Sequence, residues 1–248
     1  MEVGDRFKTN EGYNITILSD EGFYKVTILF ETGNIKVVSR QNVKTGSIKN
    51  LLHRSRYGVG FLGEGDFTSK CNNRVYSVWS GMLSRCYYKR DRCWGRYGGK
   101  GVYVKEDWHN FQNFAKWFYE QPYAKDESFH LDKDLTTLGA NLYSTDTCCL
   151  LPASINTLLT SNNASRGVLP LGVKFHQPSN KYTSCCREHK GGQVFLGYHN
   201  SIESAFSAYK SFKEGVIRKV ASHHYTRGNI NSKVYTNLMN WEVKEFPP

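Results

Sequence analysis

Residues 171–220 change hydrophobic period part-way along, and no other feature of the chain constrains its folding as tightly. The run is LGVKFHQPSNKYTSCCREHKGGQVFLGYHNSIESAFSAYKSFKEGVIRKV. Its first part divides into Gly172 to His176, Lys181 to Arg187 and Gln193 to Tyr198, separated by Pro178-Ser179-Asn180 and Lys190-Gly191-Gly192. Those separators have the composition of turns, and the runs between them are strand-like. Side chains alternate between the two faces of a strand. Lys181, Thr183, Cys185 and Arg187 therefore share one face, and Tyr182, Ser184 and Cys186 the other. Lys174 with His176, and Gln193 with Phe195, alternate in the same way. From residue 202 the period becomes helical, with Ile202, Ala205, Phe206, Tyr209, Phe212 and Val216 at three- and four-residue steps. The pattern predicts a three-stranded sheet backed by one amphipathic helix. The free face collects Lys174, His176, Lys181, Arg187, Gln193 and Phe195. A major groove admits a β-ribbon as well as a helix, so duplex DNA is the expected partner.

The whole chain leans the same way. Lys+Arg number 33 against 22 Asp+Glu, a formal net charge of +11. That balance favours a polyanionic partner without naming it. The 248 residues, 39% hydrophobic, suffice for one large domain or two to three small ones. No apolar run has membrane length and no signal-peptide pattern opens the chain, so a soluble, cytoplasmic protein is expected, with no obligate protein partner. The cysteines (Cys71, Cys86, Cys93, Cys148, Cys149, Cys185 and Cys186) form no Cys-x-x-Cys pair. Reduced thiols are the simpler reading, and a zinc site from Cys71, Cys86, Cys93 and a histidine is the alternative.

Residues 1–57 read as β throughout. Tyr13 to Leu18, Tyr24 to Glu31 and Ile35 to Ser39 are separated by Asp20-Glu21-Gly22 and Glu31-Thr32-Gly33-Asn34, which suggests a small barrel-like domain with tight hairpins. The basic stretch from Lys44 to Arg56 is either a second DNA contact or a solvated linker. Gly58 to Gly65 lacks the Lys-Ser/Thr ending of a phosphate-binding loop and reads as a linker.

The central region carries the candidate chemistry. Tyr76, Trp79, Met82 and Leu83 share one helical face, and Trp108, Phe111, Phe114, Ala115 and Phe118 are spaced for another helix. These aromatics read as core. Then comes FHLDKDLTTLGANLYSTDTCCLLPASINTLL, residues 129–159. His130, Asp132 and Asp134 alternate along a strand and point one way. Gly139 and Asn141 make a turn, Cys148 to Leu151 a second strand, and Pro152 opens a helix that contains Asn156. Strand, loop, strand and helix with these polar residues is the ββα-metal nuclease layout. There a strand residue activates water, and one divalent cation between strand and helix stabilises the phosphorane. Hard oxygen ligands suit Mg²⁺.

Two resemblances support these readings. GVKF, KYTSCCR, VFLGYH and SIESAFSAYK resemble the plant ethylene-response-factor (APETALA2-type) DNA-binding domain, which also occurs appended to phage endonucleases. The resemblance implies a sheet that reads the major groove from Lys174, His176, Cys185, Arg187, Gln193 and Phe195. Lys, His and Gln stand where that family has several arginines, and Cys185 where it has an acid, which implies a different base preference. Arg187 is the candidate for a bidentate guanine contact.

Residues 129–159, preceded by YSVWSGMLSRCY and YGGKGVYVKEDWHNFQNFAKWF, resemble HNH-type endonucleases of phages and mobile introns. The likeness is nearest to a phage subgroup with an LDKD-like first motif and a final Asn. It implies Asp132 and Asn156 as ligands of one Mg²⁺ or Mn²⁺, with Asn141 in the loop that buttresses the site. The family's general-base histidine falls on or beside Lys133. Lysine is a poor base at neutral pH unless desolvated, so His130 is an alternative base and Asp134 a further candidate ligand.

The expected fold is therefore α+β and modular. A barrel-like domain over 1–57 is followed by an HNH-like ββα-metal domain with flanking helices over 58–162. An APETALA2-like sheet and helix fill 163–221. A tail over 222–248 holds His223 and His224, a weak metal-binding candidate, and is tacked down by Trp241 and Phe246. The expected function is metal-dependent endonucleolytic hydrolysis of duplex DNA, of the phage homing-endonuclease type. The alternative is a non-catalytic, sequence-specific DNA-binding regulator that uses the same C-terminal sheet.

Overall fold

A computed structural model describes residues 1–121, 128–133, 135, 141–159, 168–188 and 191–245. The fold is mixed α/β with several small sheets, in two compact units, Met1–Lys116 and Trp117–Pro248.

The first unit opens with β1 (Arg6–Lys8), β2 (Asn14–Asp20), β3 (Val26–Phe30) and β4 (Ile35–Val38). They form one antiparallel sheet in the order β1-β2-β3-β4. Alternation sorts its faces: Val26, Ile28 and Phe30 are buried while Thr27 and Leu29 are half-exposed. Ile15, Ile17, Val38, Val43 and Ile48 complete that core. No barrel closes. Closure needs the first and last strands to pair, and here β1 and β4, of 3 and 4 residues, remain edges.

Helix α1 (Arg40–Thr45) begins where the Ser39 hydroxyl accepts the Asn42 N–H, as an N-cap should. Its first residue is tied to the sheet. Arg40 Nη2 donates to both carboxylate oxygens of Asp20, at 2.7 and 2.8 Å.

Helix α2 (Asn73–Tyr87) buries Trp79, Met82 and Leu83 of the expected face together with Val75, while Tyr76 is only half-buried. A short extended segment, β5 (Tyr103–Val104), and α3 (Phe111–Glu120) follow. Trp79 Nε1 donates to the Trp108 carbonyl at 2.7 Å, and its ring lies 5.3 Å from Phe111. Gly58 to Gly65 is not a loose linker. Phe61 N–H donates to the His109 carbonyl, and the Phe61 carbonyl accepts the Phe111 N–H, both at 2.9 Å. Gln112 Nε2 holds the Leu62 and Phe67 carbonyls at 2.9 Å each. The glycines of this run obscure a segment pinned through its backbone.

The second unit contains β6 (Phe129–Asp132), β7 (Leu142–Tyr143), β8 (Cys149–Pro152) and α4 (Ala153–Leu159). It continues with β9 (Val173–His176), β10 (Lys181–Arg187), β11 (Gln193–His199), α5 (Ile202–Thr226) and α6 (Ser232–Met239). β6 and β8 pair antiparallel, and the other sheet has the order β11-β10-β9. One apolar cluster runs through Leu151 and Ile155, Cys186 of β10, Tyr209, Val216 and Val220 of α5, and Val234 and Leu238 of α6.

The stretch from Ser222 is therefore no polar tail. α5 carries on to Thr226, and α6, capped by Asn231, docks Val234 and Leu238. Trp241 is partly buried on the same cluster, and Phe246 lies outside the described residues. Among the described residues no helix is long and apolar enough to cross a membrane.

The Arg40 guanidinium pulls the Asp20 pKa down to about 2 from an ordinary 3.8. A depressed carboxylate contributes stability that is present above the unfolded pKa and lost as pH falls through the folded one. Asp20→Asn should therefore flatten the pH dependence of unfolding of the first unit between about pH 4 and pH 2. Urea titrations at several pH values, followed by a probe in this sheet, check it. Parallel pH profiles for variant and wild type would contradict it.

Candidate functional site

Strand register decides which side chains of the three-stranded sheet share a face. Residues directly opposite in an antiparallel pair lie on the same side. Lys181 pairs with His176, Thr183 with Lys174, Cys185 with Phe195, and Arg187 with Gln193. Lys174, His176, Lys181, Arg187, Gln193 and Phe195, the six residues expected from sequence to share a face, therefore do so.

The opposite face is covered in part: Phe175 and Tyr182, paired there, stay exposed and half-exposed. Val173, Ser184 and Cys186 are buried there against α5. Lys213 of α5 is held behind the sheet, and burial lowers its pKa. Gly172 ends the preceding turn at φ +74, and an added Cβ would lie 2.0 Å from the Tyr209 ring. Only glycine fits both the backbone angle and the ring.

Tyr198 also belongs to the exposed face, which simple alternation from Gln193 and Phe195 misses. Register shifts between Ser184 and Cys185: Ser184 faces Gly197, Cys185 faces Phe195, and Leu196 is the extra residue. This is a β-bulge, and Gly197 at φ +115 sits in it. A glycine inside a strand pattern is the signal that could have revealed it. The bulge turns Leu196 toward the core and Tyr198 outward.

His176, Tyr198 and Phe195 then form a row across the sheet, with neighbouring ring centroids 5.2 Å apart. Phe195 and Tyr198 are 54% and 51% exposed. Lys174, Lys181 and Arg187 surround them, and among the described residues none is ion-paired with a carboxylate. Exposed rings among unpaired cations form a surface suited to bases and phosphates.

The second candidate locus is the β6–β8–α4 unit. Register places His130 opposite Leu151 and Asp132 opposite Cys149, and α4 follows β8 directly. That brings Asn156 to exposed His130, with Asn156 Nδ2 3.4 Å from His130 Nδ1. Asp132, on the same strand face, accepts the Leu135 N–H through Oδ1 at 2.9 Å. Asn237 of α6 holds the Leu135 carbonyl at 2.8 Å, so this turn is pinned from two sides.

The remaining expected residues differ. Lys133 is 7% exposed, whereas His130 beside it reaches solvent. A buried lysine does not stand on the open surface where a general base must meet water, so His130 is the better placed of the two. Asp134 lies outside the described residues. Asn141 is exposed before β7, and among the described residues it has no hydrogen bond to His130, Asp132 or Asn156. The loop into β8 is instead ordered by Thr147, whose Oγ1 accepts the Ser144 N–H at 3.0 Å and donates to the Leu142 carbonyl at 2.7 Å.

Among the described residues no three His, Cys, Asp or Glu side chains gather as a metal cluster. The zinc alternative at Cys71, Cys86 and Cys93 therefore finds no support, and the described cysteines are free thiols. Burial pushes the Cys148 thiol up to about 12 and the Cys149 thiol higher still, which makes both inert packing groups. His224 is structural as well. Ser154 Oγ lies 2.9 Å from its Nε2 and Asn229 Nδ2 lies 3.2 Å from its Nδ1, which joins α4 to the end of α5.

No family model, curated protein or solved structure matches the chain.

Gly172→Ala should destabilise the second unit by about 1–3 kcal/mol more than Gly4→Ala destabilises the first. Both glycines have positive φ, but only Gly172 meets a ring. Denaturant unfolding of the two variants checks it, and equal losses would remove the Tyr209 contact from the explanation.

Proposed function

We propose that this chain binds duplex DNA with the exposed face of β9, β10 and β11 and hydrolyses a phosphodiester bond at the β6–β8–α4 unit. This is the reading of a modular HNH-type endonuclease with an APETALA2-like module, in which residues 1–57 form an accessory domain. The observation that supports it most is the shared face of Lys174, His176, Lys181, Arg187, Gln193, Phe195 and Tyr198. Three strands spaced about 4.8 Å apart make a ribbon about 10 Å wide, which suits a major groove about 12 Å wide. Arg187 and Gln193 are direct neighbours across two strands. Arginine suits guanine O6 and N7, and glutamine suits adenine N6 and N7. Lys174 and Lys181, near the other end of the sheet, suit phosphates.

The chemistry rests on His130, Asp132 and Asn156. A carboxylate and an amide oxygen are hard donors of the kind Mg²⁺ or Mn²⁺ prefers, so Asp132 and Asn156 fit such an ion, with Asp134 a further candidate. When bound, the ion supplies positive charge to the phosphorane and the leaving oxygen. His130 has the exposed position a general base requires. Its work depends on how the Asn156 amide is turned. With Asn156 Nδ2 donating to His130 Nδ1, the amide oxygen is turned away from the ring and would be the atom that holds a bound ion. With the amide reversed, His130 Nδ1–H donates to Oδ1, and Nε2 carries the lone pair that takes a proton from water.

Two observations favour the second reading, a DNA-binding protein that does not cut. Asp132 already accepts the Leu135 N–H, and Lys133, on or beside which the general-base histidine of the nucleases it resembles would fall, is buried. A plasmid-nicking assay with Mg²⁺ or Mn²⁺ against EDTA separates the two readings. Asp132→Ala and the near-isosteric Asp132→Asn should each lower cleavage by about 100-fold or more, with DNA affinity within about twofold of wild type. Normal cutting by both variants would overturn the site. No cutting by the wild type, with binding retained, would select the regulator. Arg187→Ala should weaken specific binding by about 1–3 kcal/mol and relax the base preference at one position. Unchanged preference would overturn the readout.

A further inference from the structure

More than half of the chain's net charge sits in one short segment of the first unit. Residues 85–105 carry Arg85, Lys89, Arg90, Arg92, Arg96, Lys100 and Lys105 against the single carboxylate of Asp91. Seven cations less one acid give +6 in that segment, out of +11 for the whole chain. Neither the β9–β11 face nor the β6–β8–α4 unit includes any of it.

The segment is built, not loose. Asp91, its one acid, faces inward: Ser84 Oγ donates to Oδ2 at 2.5 Å and the Cys93 N–H to Oδ1 at 2.8 Å. Successive backbone bonds from Asp91 to Tyr88, Trp94 to Asp91, Tyr97 to Trp94, Lys100 to Tyr97 and Val102 to Tyr97 fold it into consecutive turns. Arg85 is taken up in the scaffold, its guanidinium 5.2 Å above the Tyr97 ring. Lys105 lies 3.4 Å from Asp107. Lys89, Arg90, Arg92, Arg96 and Lys100 remain exposed, and among the described residues none is ion-paired. The dipole at the end of α2 acts only over the last turn. It offers stabilisation to Lys89, but not to Arg92, Arg96 or Lys100. Ordered like charges at this density repel one another; Asp91 offsets part of this for Arg85 and Arg92, whose charges help to lower its pKa, and among the described residues no carboxylate forms an ion pair with Lys89, Arg90, Arg96 or Lys100. Tyr88 and Tyr103, 43% and 51% exposed, stand among them.

We infer that this segment is a second nucleic-acid contact, a clamp for the phosphodiester backbone formed by Lys89, Arg90, Arg92, Arg96 and Lys100. It extends the DNA-binding reading to the first unit and does not depend on the β9–β11 sheet. Contacts of this kind hold DNA without reading sequence, and each releases counterions on binding.

The test uses the full-length chain and a fluorescent random-sequence duplex, with affinity measured by anisotropy across salt concentrations. The variant neutralises Arg90, Arg92, Arg96 and Lys100 together, each to Gln, and a Lys181→Ala/Arg187→Ala chain serves as the sheet control. With about 0.9 units of log–log salt slope per phosphate contact, the fourfold variant should lose about 3.6 units. Single replacements should lose about 0.9 each, which covers the case where the fourfold variant does not fold. A slope unchanged in the fourfold and single variants overturns the clamp. If the sheet control alone loses binding, the clamp falls and the sheet reading stands. A wild type that binds no duplex overturns both. Phosphatidylserine vesicles form the second arm. Loss of vesicle binding with an unchanged DNA slope assigns the patch to a membrane and overturns the clamp.

Discussion

The apolar stripe of α5 is the contact on which the second unit depends. Its first half, through Ala205 and Tyr209, covers the back of the three-stranded sheet, and its second half, through Val216, Ile217 and Val220, joins the cluster that holds β8, α4 and α6. Burial of apolar area is the main favourable term in folding. With α5 packed on one face of the sheet, nothing among the described residues covers the row of cations and rings on the other. The same helix sets the second locus, because α4 is held to α5 by Ser154 and His224 while presenting Asn156 to His130.

Much of this was legible in the sequence because two periods leave different marks. The faces of β9 and β10 follow from alternation, and α2, α3 and α5 from apolar residues at three- and four-residue steps. The misses have separate physical causes. Tyr198 was lost because a bulge at Gly197 inserts one residue and reverses alternation beyond it. Helix α6 was lost because it is short and shows only Val234 and Leu238 as buried anchors among polar residues. The glycine-rich run at 58–65 hid an ordered segment, because its partners, Gln112 and His109, act on backbone groups.

The candidate site was legible in part. His130 and Asn156, 26 positions apart in sequence, meet because β6 pairs with β8 and α4 follows without a loop. The burial of Lys133 and the engagement of Asp132 with Leu135 depend on the turn after β6, which residue types alone do not specify. The charge at residues 85–105 was present in composition. What composition does not show is that Asp91 is engaged by Ser84 and Cys93, while among the described residues Lys89, Arg90, Arg92, Arg96 and Lys100 form no ion pair.

The central claim is that the outward face of β9–β11 meets base edges in a major groove. Photocrosslinking to duplexes carrying 5-iodouracil in place of thymine tests it directly, because the iodine occupies the position of the methyl group in that groove. Crosslinked peptides are expected at Phe195, Tyr198 or His176, and those at Phe195 and Tyr198 should be lost when these two are replaced by Ala. Crosslinks confined to residues outside 173–199 would contradict it.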